Sequence, residues 1–166
     1  IFYYTSKYII MNKEIEYTNE NVTSTARYIT LYIDKHRNII NLLAVDADIK
    51  RFLATGNKNY RQNIDKMISL ILNSNTGIKN ITVIGKNGNI VSSDKVNNMN
   101  ISTNMMKEKW YIDAINNSDM PVFNPIRKNS ATMNSDFWFL SISHDIKNEN
   151  NENLGVIVFD IKYEIL

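Results

Sequence analysis

Apolar side chains recur every three or four residues along the N-terminal part of the chain. The positions with this spacing are Val22, Ala26, Ile29, Ile33, Ile40, Leu43 and Ala47, with His36 on the same line. No proline or glycine occurs from Lys7 to Val45, so the pattern predicts one long helix with a single apolar face. At ~1.5 Å per residue it would extend about 55 Å, so only part of it can pack on a small domain.

Two shorter helices are predicted to follow. Asp46 is a suitable N-cap for a helix through Leu53, which Gly56 would end. A second amphipathic run closes near Gly77 and has its apolar positions at Tyr60, Ile64, Met67, Ile68 and Ile71. Residues 1–76 are therefore interpreted as a helical layer.

Beyond Gly77 the spacing of apolar residues no longer fits a helix and instead fits short β-strands. The runs 78–84 and 89–93 flank Gly85-Lys86-Asn87-Gly88, whose Asn-Gly pair is a strong hairpin signal. A helix from Met105 to Asn116 is expected next. Further strands are expected over 120–123, stopped by Pro125, and over 136–146 and 154–163, with a loop over 127–134. This order predicts an α+β domain in which the sheet region, 77–166, and the helical layer form one structural unit.

Composition narrows the possible partners of this 166-residue chain. Nineteen basic and 17 acidic residues leave a net charge of +2 without a basic patch, so nucleic acid is not an expected partner. The absence of cysteine excludes disulfides, thiolate zinc sites and a cysteine nucleophile. The first ten residues are apolar and aromatic but interrupted by Lys7, and they fall short of the ~20 residues that span a bilayer. Their tyrosines suit the water-facing end of a membrane helix, so flanking transmembrane helices are expected outside this chain.

Neither catalysis nor a metal site nor a cofactor is expected. Ser143-His144-Asp145 contains the residue types of a hydrolase triad, but adjacent strand residues point to opposite faces. His144, Asp145 and Glu149 could supply metal ligands, yet such groups are common in surface turns. The 85–88 segment lacks the Lys-Ser/Thr ending of a phosphate-binding loop.

Two features favour a small-molecule site. Trp110 and Tyr111 are adjacent large aromatics with polar atoms, which line ligand pockets but also fill cores. In the last predicted strand, alternation places Val156, Val158 and Asp160 on one face. A carboxylate on a buried face needs a partner, so Asp160 is interpreted either as part of an ion pair with a residue such as Arg127 or as a ligand contact.

The order of these parts resembles the extracytoplasmic Cache sensor domains, which are relatives of the PAS fold. The resemblance covers nearly the whole chain, from the long helix through the Asn-Gly hairpin and Trp-Tyr-x-x-Ala to the final Gly-Val-x-x-x-Asp-Ile. It implies a PAS-like antiparallel five-stranded sheet with the long N-terminal helix packed on it. It also implies a single Cache module, or the membrane-distal half of a double one, outside the cytoplasm at the cell membrane. The whole protein would be a chemoreceptor or sensor histidine kinase.

The resemblance also implies a ligand site. In family members that bind amino acids, an arginine two residues before the Trp-Tyr pair holds the ligand carboxylate, and an aspartate on the last strand receives the amine. Trp110, Tyr111 and Asp160 match, whereas Glu108 stands where the arginine would be, and Ile126 and Lys128 fall near an expected tyrosine and aspartate. The expected site residues are Trp110, Tyr111, Asp160, Arg127, Phe123 and Asp113.

The departure at Glu108 removes the carboxylate clamp, because a glutamate repels a carboxylate. Lys107, Lys109 or Arg127 could replace the lost charge, although a lysine is not equivalent to an arginine. The expected ligand is an amine, an amino-acid-like compound or another small metabolite. Two alternatives stay open: a ligand-free module that dimerises through the stripe of the long helix containing Ile29 and Ile33, and a secreted enzyme.

Overall fold

The computed structural model describes residues 2–94, 104–117, 119–128 and 138–162, with side chains over 9–94, 104–117, 119–124 and 140–162. The chain divides into two compact units, Ile1–His36 and Arg37–Leu166. Helix α1, Phe2–Ala44, passes from the first into the second. The predicted long helix is therefore confirmed.

The first unit consists of the N-terminal part of α1. From residue 9 onward, where its side chains are described, its large apolar side chains are mostly exposed, among them Ile15, Val22 and Leu31. Near its end, His36 is buried, and its Nδ1 lies 2.7 Å from the Tyr32 carbonyl oxygen, to which it donates. Burial lowers the pKa of His36, so the imidazole is held neutral. Among the described residues, none of the helices has the length and apolar character that crossing a bilayer requires.

The second unit begins with the end of α1, where Ile40, Leu43 and Ala44 are buried. Helix α2 spans Ala47–Thr55 and helix α3 spans Lys58–Ser74. The Asp46 carboxylate accepts hydrogen bonds from the amides of Asp48 and Ile49, as expected of an N-cap. Gly56 ends α2 in the left-handed conformation, at φ +70°. Both predicted caps of α2 are thus confirmed.

Five antiparallel strands follow. They are β1 Ile78–Gly85, β2 Ile90–Ser92, β3 Val122–Lys128, β4 Trp138–Lys147 and β5 Asn153–Lys162. Their order in the sheet is β2-β1-β5-β4-β3, so the last strand of the chain is the central one. Helix α4, Lys109–Asn116, lies between β2 and β3 in the sequence. The predicted α+β architecture with a five-stranded antiparallel sheet is confirmed.

Pro125 does not stop β3, and this part of the prediction was wrong. The strand continues to Lys128, so residues 127 and 128 are strand rather than loop. The register on β4 shifts between Asn124 and Arg127, which is a β-bulge, and β3 lies at the edge of the sheet. A proline is tolerated there because a bulge at an edge does not need every backbone N–H for pairing.

The two faces of the sheet have different coverings. On one face, Ile81, Val83, Ile157 and Phe159 are fully buried, and helices α2 and α3 contact this part of the sheet. Alternation places Ile84, Val156, Val158 and Asp160 on the other face, towards α4. That second face carries both apolar and polar side chains.

Candidate functional site

Helix α4 covers the apolar end of the second face. Trp110, Tyr111 and Ala114 form its buried side and share one core cluster with Ile84, Ile90, Val156, Val158 and Met105. The helix begins at Lys109, later than the predicted Met105. Glu108 is its N-cap, but its side chain makes no capping hydrogen bond.

Trp110 and Tyr111 are packed as core residues. Their relative exposures are 2% and 5%. The two rings meet edge to face, with centroids 5.8 Å apart and an interplanar angle of 78°. Burial raises the pKa of Tyr111, so its phenol is held neutral. The backbone at Trp110 is tied to the sheet, because the Ser143 hydroxyl donates a 3.0 Å hydrogen bond to the Trp110 carbonyl oxygen.

A polar cluster occupies the other end of the same face. The Asp160 carboxylate accepts hydrogen bonds from the Ser141 hydroxyl at 2.9 Å and from the Asn80 amide at 3.3 Å. These three residues lie opposite one another on β4, β5 and β1, and all three are buried. A carboxylate is thus held within the fold by neutral donors on both neighbouring strands, as a buried polar group requires.

The network continues from Asn80 to β2. Its amide nitrogen also donates to the Thr82 hydroxyl at 3.0 Å, and its amide oxygen accepts from Ser92 and Ser93. The hydroxyls of Thr82 and Ser92 are 2.8 Å apart. We call the group Asn80, Thr82, Ser92, Ser141 and Asp160 the polar cluster. It reaches across four strands and fixes the orientation of each side chain.

A second carboxylate lies near the polar cluster. Asp94 lies two residues after the end of β2, and its backbone nitrogen is 3.4 Å from the Ser92 hydroxyl oxygen. Although Asp94 is an exposed residue, desolvation of its carboxyl raises its pKa, the charge of Asp160 raises it further, and Lys79 opposes the shift. The like charge of Asp160 thus disfavours ionisation of Asp94.

The remaining predicted site residues lie on α4 and β3. Asp113 forms an ion pair with Lys109 on α4. Phe123 pairs with Ile142 in the register, and alternation puts both on the face away from Asp160. The backbone of Arg127 lies opposite Phe139; its side chain is outside the described residues, so the predicted pair with Asp160 is not described either. The structure brings Trp110, Tyr111 and Asp160 to one face of the sheet.

Sequence reasoning missed most of the polar side chains on this face. Asn80, Thr82, Ser141, Ser143 and Asn124 occupy alternate positions of their strands, on the same side as Asp160. That alternation was visible in the sequence once the strands were assigned. The alternation indicates a sheet face that is polar at one end even though its polar side chains are buried.

A second group of charges lies further along β4. His144 Nδ1 is 3.5 Å from one oxygen of Asp145, and Lys147 Nζ is 3.7 Å from the other. Burial lowers the pKa of His144 and raises that of Asp145, and the Lys147 charge lowers both. The Ser143 hydroxyl does not join them, because it donates to α4. Within the described ranges, no group of three or more His, Asp or Glu side chains is arranged to hold a metal ion.

A groove of about 390 Å³ lies elsewhere, between the end of α1 and α3. It is lined by Ile39, Leu42, Leu43, Leu70, Ile71, Ser74 and Asn75. This groove offers no charged side chain to a polar ligand, unlike the face that carries Asp160.

Solved sensory domains of bacterial chemoreceptors share this fold. The sensory domain of Campylobacter jejuni Tlp3 with isoleucine bound has a TM-score of 0.65 and 15% identity, over 82% of this chain. The ligand-binding domain of Pseudomonas fluorescens CtaA in complex with L-serine has a TM-score of 0.65 and 14% identity, over 90% of it. That of Pseudomonas aeruginosa PctC in complex with GABA has a TM-score of 0.60 and 17% identity, over 86% of it. These similarities confirm the expected Cache-type fold.

The matched part is only a portion of those domains. The chain spans 54% of the Tlp3 domain, 60% of the CtaA domain and 58% of the PctC domain. No family model matches the sequence, and no curated protein does so either.

Proposed function

We propose that this chain is an extracytoplasmic sensor module of a bacterial transmembrane receptor and binds a small molecule that carries an amino group. The observation that carries the proposal is the buried Asp160 carboxylate, held by Ser141 and Asn80 on the face that α4 partly covers. The fold, shared with sensory domains that hold amino acids or GABA, supports the same reading.

The charges around the polar cluster favour an amine over a carboxylate. The charges of Asp94 and Asp160 interact, and Lys79 is the cation that acts on Asp94. Of the lysines near α4, Lys107 is exposed and Lys109 is paired with Asp113. An ammonium group would be attracted to Asp160, whereas a ligand carboxylate would be repelled by the acidic groups.

Three probes with the same four-carbon chain test this proposal. Butylamine carries only the amine, butyrate only the carboxylate, and GABA both. We expect butylamine, and GABA more weakly, to raise the melting temperature, and butyrate to have no effect. A ligand at about 100 times its dissociation constant stabilises a protein by roughly 2.7 kcal/mol, which thermal denaturation detects.

Two variants complete the experiment. Asp160→Asn keeps the shape of the side chain but removes its charge, so the butylamine shift should disappear. Asp65→Asn is the matched control, because Asp65 is an exposed aspartate on α3, and it should leave the shift unchanged. The proposal is wrong if none of the three probes stabilises the wild-type chain, or if Asp160→Asn, folded by circular dichroism, retains the shift.

A ligand-free dimerising module is the second candidate. It is favoured by the burial of Trp110 and Tyr111 in a core cluster, which leaves little of either ring accessible. Such a module would self-associate through α1 around the predicted stripe of Ile29 and Ile33, beside which Tyr28 and Leu31 are exposed by 56% and 61%. Sedimentation would then show a dimer that Leu31→Glu dissociates, and none of the three probes would raise the melting temperature.

A further inference from the structure

A buried serine connects the sheet to helix α4. Ser143 is fully buried, and its Oγ lies 2.9 Å from the Asn124 amide nitrogen and 3.0 Å from the Trp110 carbonyl oxygen. The amide donates to the hydroxyl and the hydroxyl donates to the carbonyl, because a serine has only one proton to give. Asn124 therefore fixes the direction of the Ser143 proton towards the helix.

The hydrogen bond from Ser143 gives α4 a fixed position on the sheet, which the helix does not have on its own. An isolated helix of eight residues is not stable in water, and the N-cap Glu108 contributes no side-chain hydrogen bond. The apolar contacts of Trp110, Tyr111 and Ala114 hold the helix down, but hydrophobic attraction has no preferred direction. The hydrogen bond from Ser143 is directional, so it opposes sliding of α4 along the sheet.

The same strand face also carries the contact to the carboxylate. Ser141 and Ser143 are two residues apart on β4, and Ser141 donates to Asp160 while Ser143 donates to α4. Alternate residues of a strand are separated by roughly 6.6 Å. One rigid strand thus sets the spacing between the helix that carries Trp110 and the carboxylate on β5.

We propose that Asn124 and Ser143 are positioning residues that lock α4 at a defined place over the sheet and so set the width of the site. The inference rests on the proposed function for its biological meaning. The locking of α4 itself is a property of the unliganded protein and is measured there.

Hydrogen–deuterium exchange of the unliganded chain tests the lock. Ser143→Ala should speed exchange of the α4 amides about tenfold, since one buried hydrogen bond to the helix is lost. Ser143→Thr keeps the hydroxyl and should restore slow exchange. Ser141→Ala is the matched control, because it removes a buried hydroxyl on the same face of the same strand that is bonded to Asp160 and not to α4. It lowers the stability of the whole domain but breaks no bond to the helix, so α4 should exchange clearly more slowly in it than in Ser143→Ala.

Two results would overturn the proposal: wild-type exchange of α4 in Ser143→Ala, or equally fast exchange of α4 in Ser141→Ala. If Ser143→Ala does not fold, Asn124→Ala replaces it, because the proton of Ser143 then loses its fixed direction and exchange of α4 should still accelerate. Unchanged exchange in Asn124→Ala would contradict the lock in the same way.

The two proposals can fail independently. If α4 loosens as expected but butylamine does not bind to the wild type, the lock holds and the proposed ligand is wrong. If butylamine binds in an Asp160-dependent way while Ser143→Ala leaves α4 unchanged, the proposed function stands without the lock.

Discussion

The Ser141 hydroxyl donates a 2.9 Å hydrogen bond to the Asp160 carboxylate, and Ser141 and Asp160 face each other across β4 and β5. Hydrogen bonds to a buried charge are stronger than those between neutral groups. The contact therefore stabilises the fold as well as orienting the carboxylate.

Removing this donor should destabilise the protein. We expect Ser141→Ala to lower the free energy of unfolding by about 1–3 kcal/mol, because a buried carboxylate oxygen loses one of its donors. Ser69→Ala is the control: that hydroxyl bonds the Asp65 carbonyl on the exposed surface of α3, and its loss should change stability by less than about 0.5 kcal/mol. Urea denaturation measures both, and equal effects would contradict the role given to Ser141.

Gly155 allows β5 to approach β1 closely. A methyl carbon added there would lie 2.8 Å from the Gly85 Cα and 2.9 Å from the Ile84 carbonyl carbon, both of them backbone atoms. A methyl added at Gly85 would instead meet the side chains of Asn87 and Leu53, which can move aside. We expect Gly155→Ala to cost about 3 kcal/mol or more and Gly85→Ala clearly less. Comparable urea midpoints for the two variants would contradict this ordering.

The helices could be predicted because their signals are local. Asp46 and Gly56 act on amides and carbonyls within four residues of themselves, so the limits of α2 follow from the sequence nearby. The hairpin between β1 and β2 is local in the same sense. Trp110 and Asp160 also match the order of motifs in Cache sensor domains, and that resemblance predicted the fold as a whole.

The polar cluster could not be predicted in this way, because it depends on strand register. Asn124 meets Ser143 only because β3 is paired with β4 in one register, and the bulge after Asn124 shifts that register. Phe123 is a predicted site residue, and in this register its neighbour Asn124 is the one that shares a face with Asp160. Since adjacent strand residues point to opposite faces, an error of one position exchanges a buried polar contact for an apolar one.

The N-cap of α2 gives a third prediction. Asp46 accepts hydrogen bonds from the amides of Asp48 and Ile49 at 2.9 and 3.0 Å. Asp46→Ala should lower the free energy of unfolding by about 1 kcal/mol, whereas Asp46→Asn, which keeps an acceptor oxygen, should be nearly neutral. Thermal or urea denaturation of the pair separates the loss of the cap from the loss of the charge. An equally destabilised Asp46→Asn would show that the charge matters and the cap does not.

The charged groups at the end of β4 make stability depend on pH in two opposite ways. Burial lowers the pKa of His144, so its contribution is present above the unfolded pKa, about 6.5, and is lost as the pH falls towards the folded pKa. Burial raises the pKa of Asp145, so its contribution is present at low pH and is lost as the pH rises through the folded pKa. Lys147 is the nearby cation that affects both groups.

We therefore expect His144→Gln to lose less stability than the wild type between about pH 7.5 and about pH 5. We expect Asp145→Asn to lose more than the wild type as the pH falls further towards 3.8, the ordinary pKa of an aspartate. The His144 variant has no imidazole to protonate at this position, and the Asp145 variant has no carboxyl that gains stability on protonation. The pKa of His36 is also lowered by burial, so a variant lacking both histidines should lose still less stability than His144→Gln between about pH 7.5 and about pH 5. Urea denaturation at several pH values measures these slopes. If the free energy of unfolding of His144→Gln falls with pH as steeply as that of the wild type, another group titrates in this range. If that of Asp145→Asn falls less steeply than that of the wild type, the raised pKa of Asp145 is contradicted.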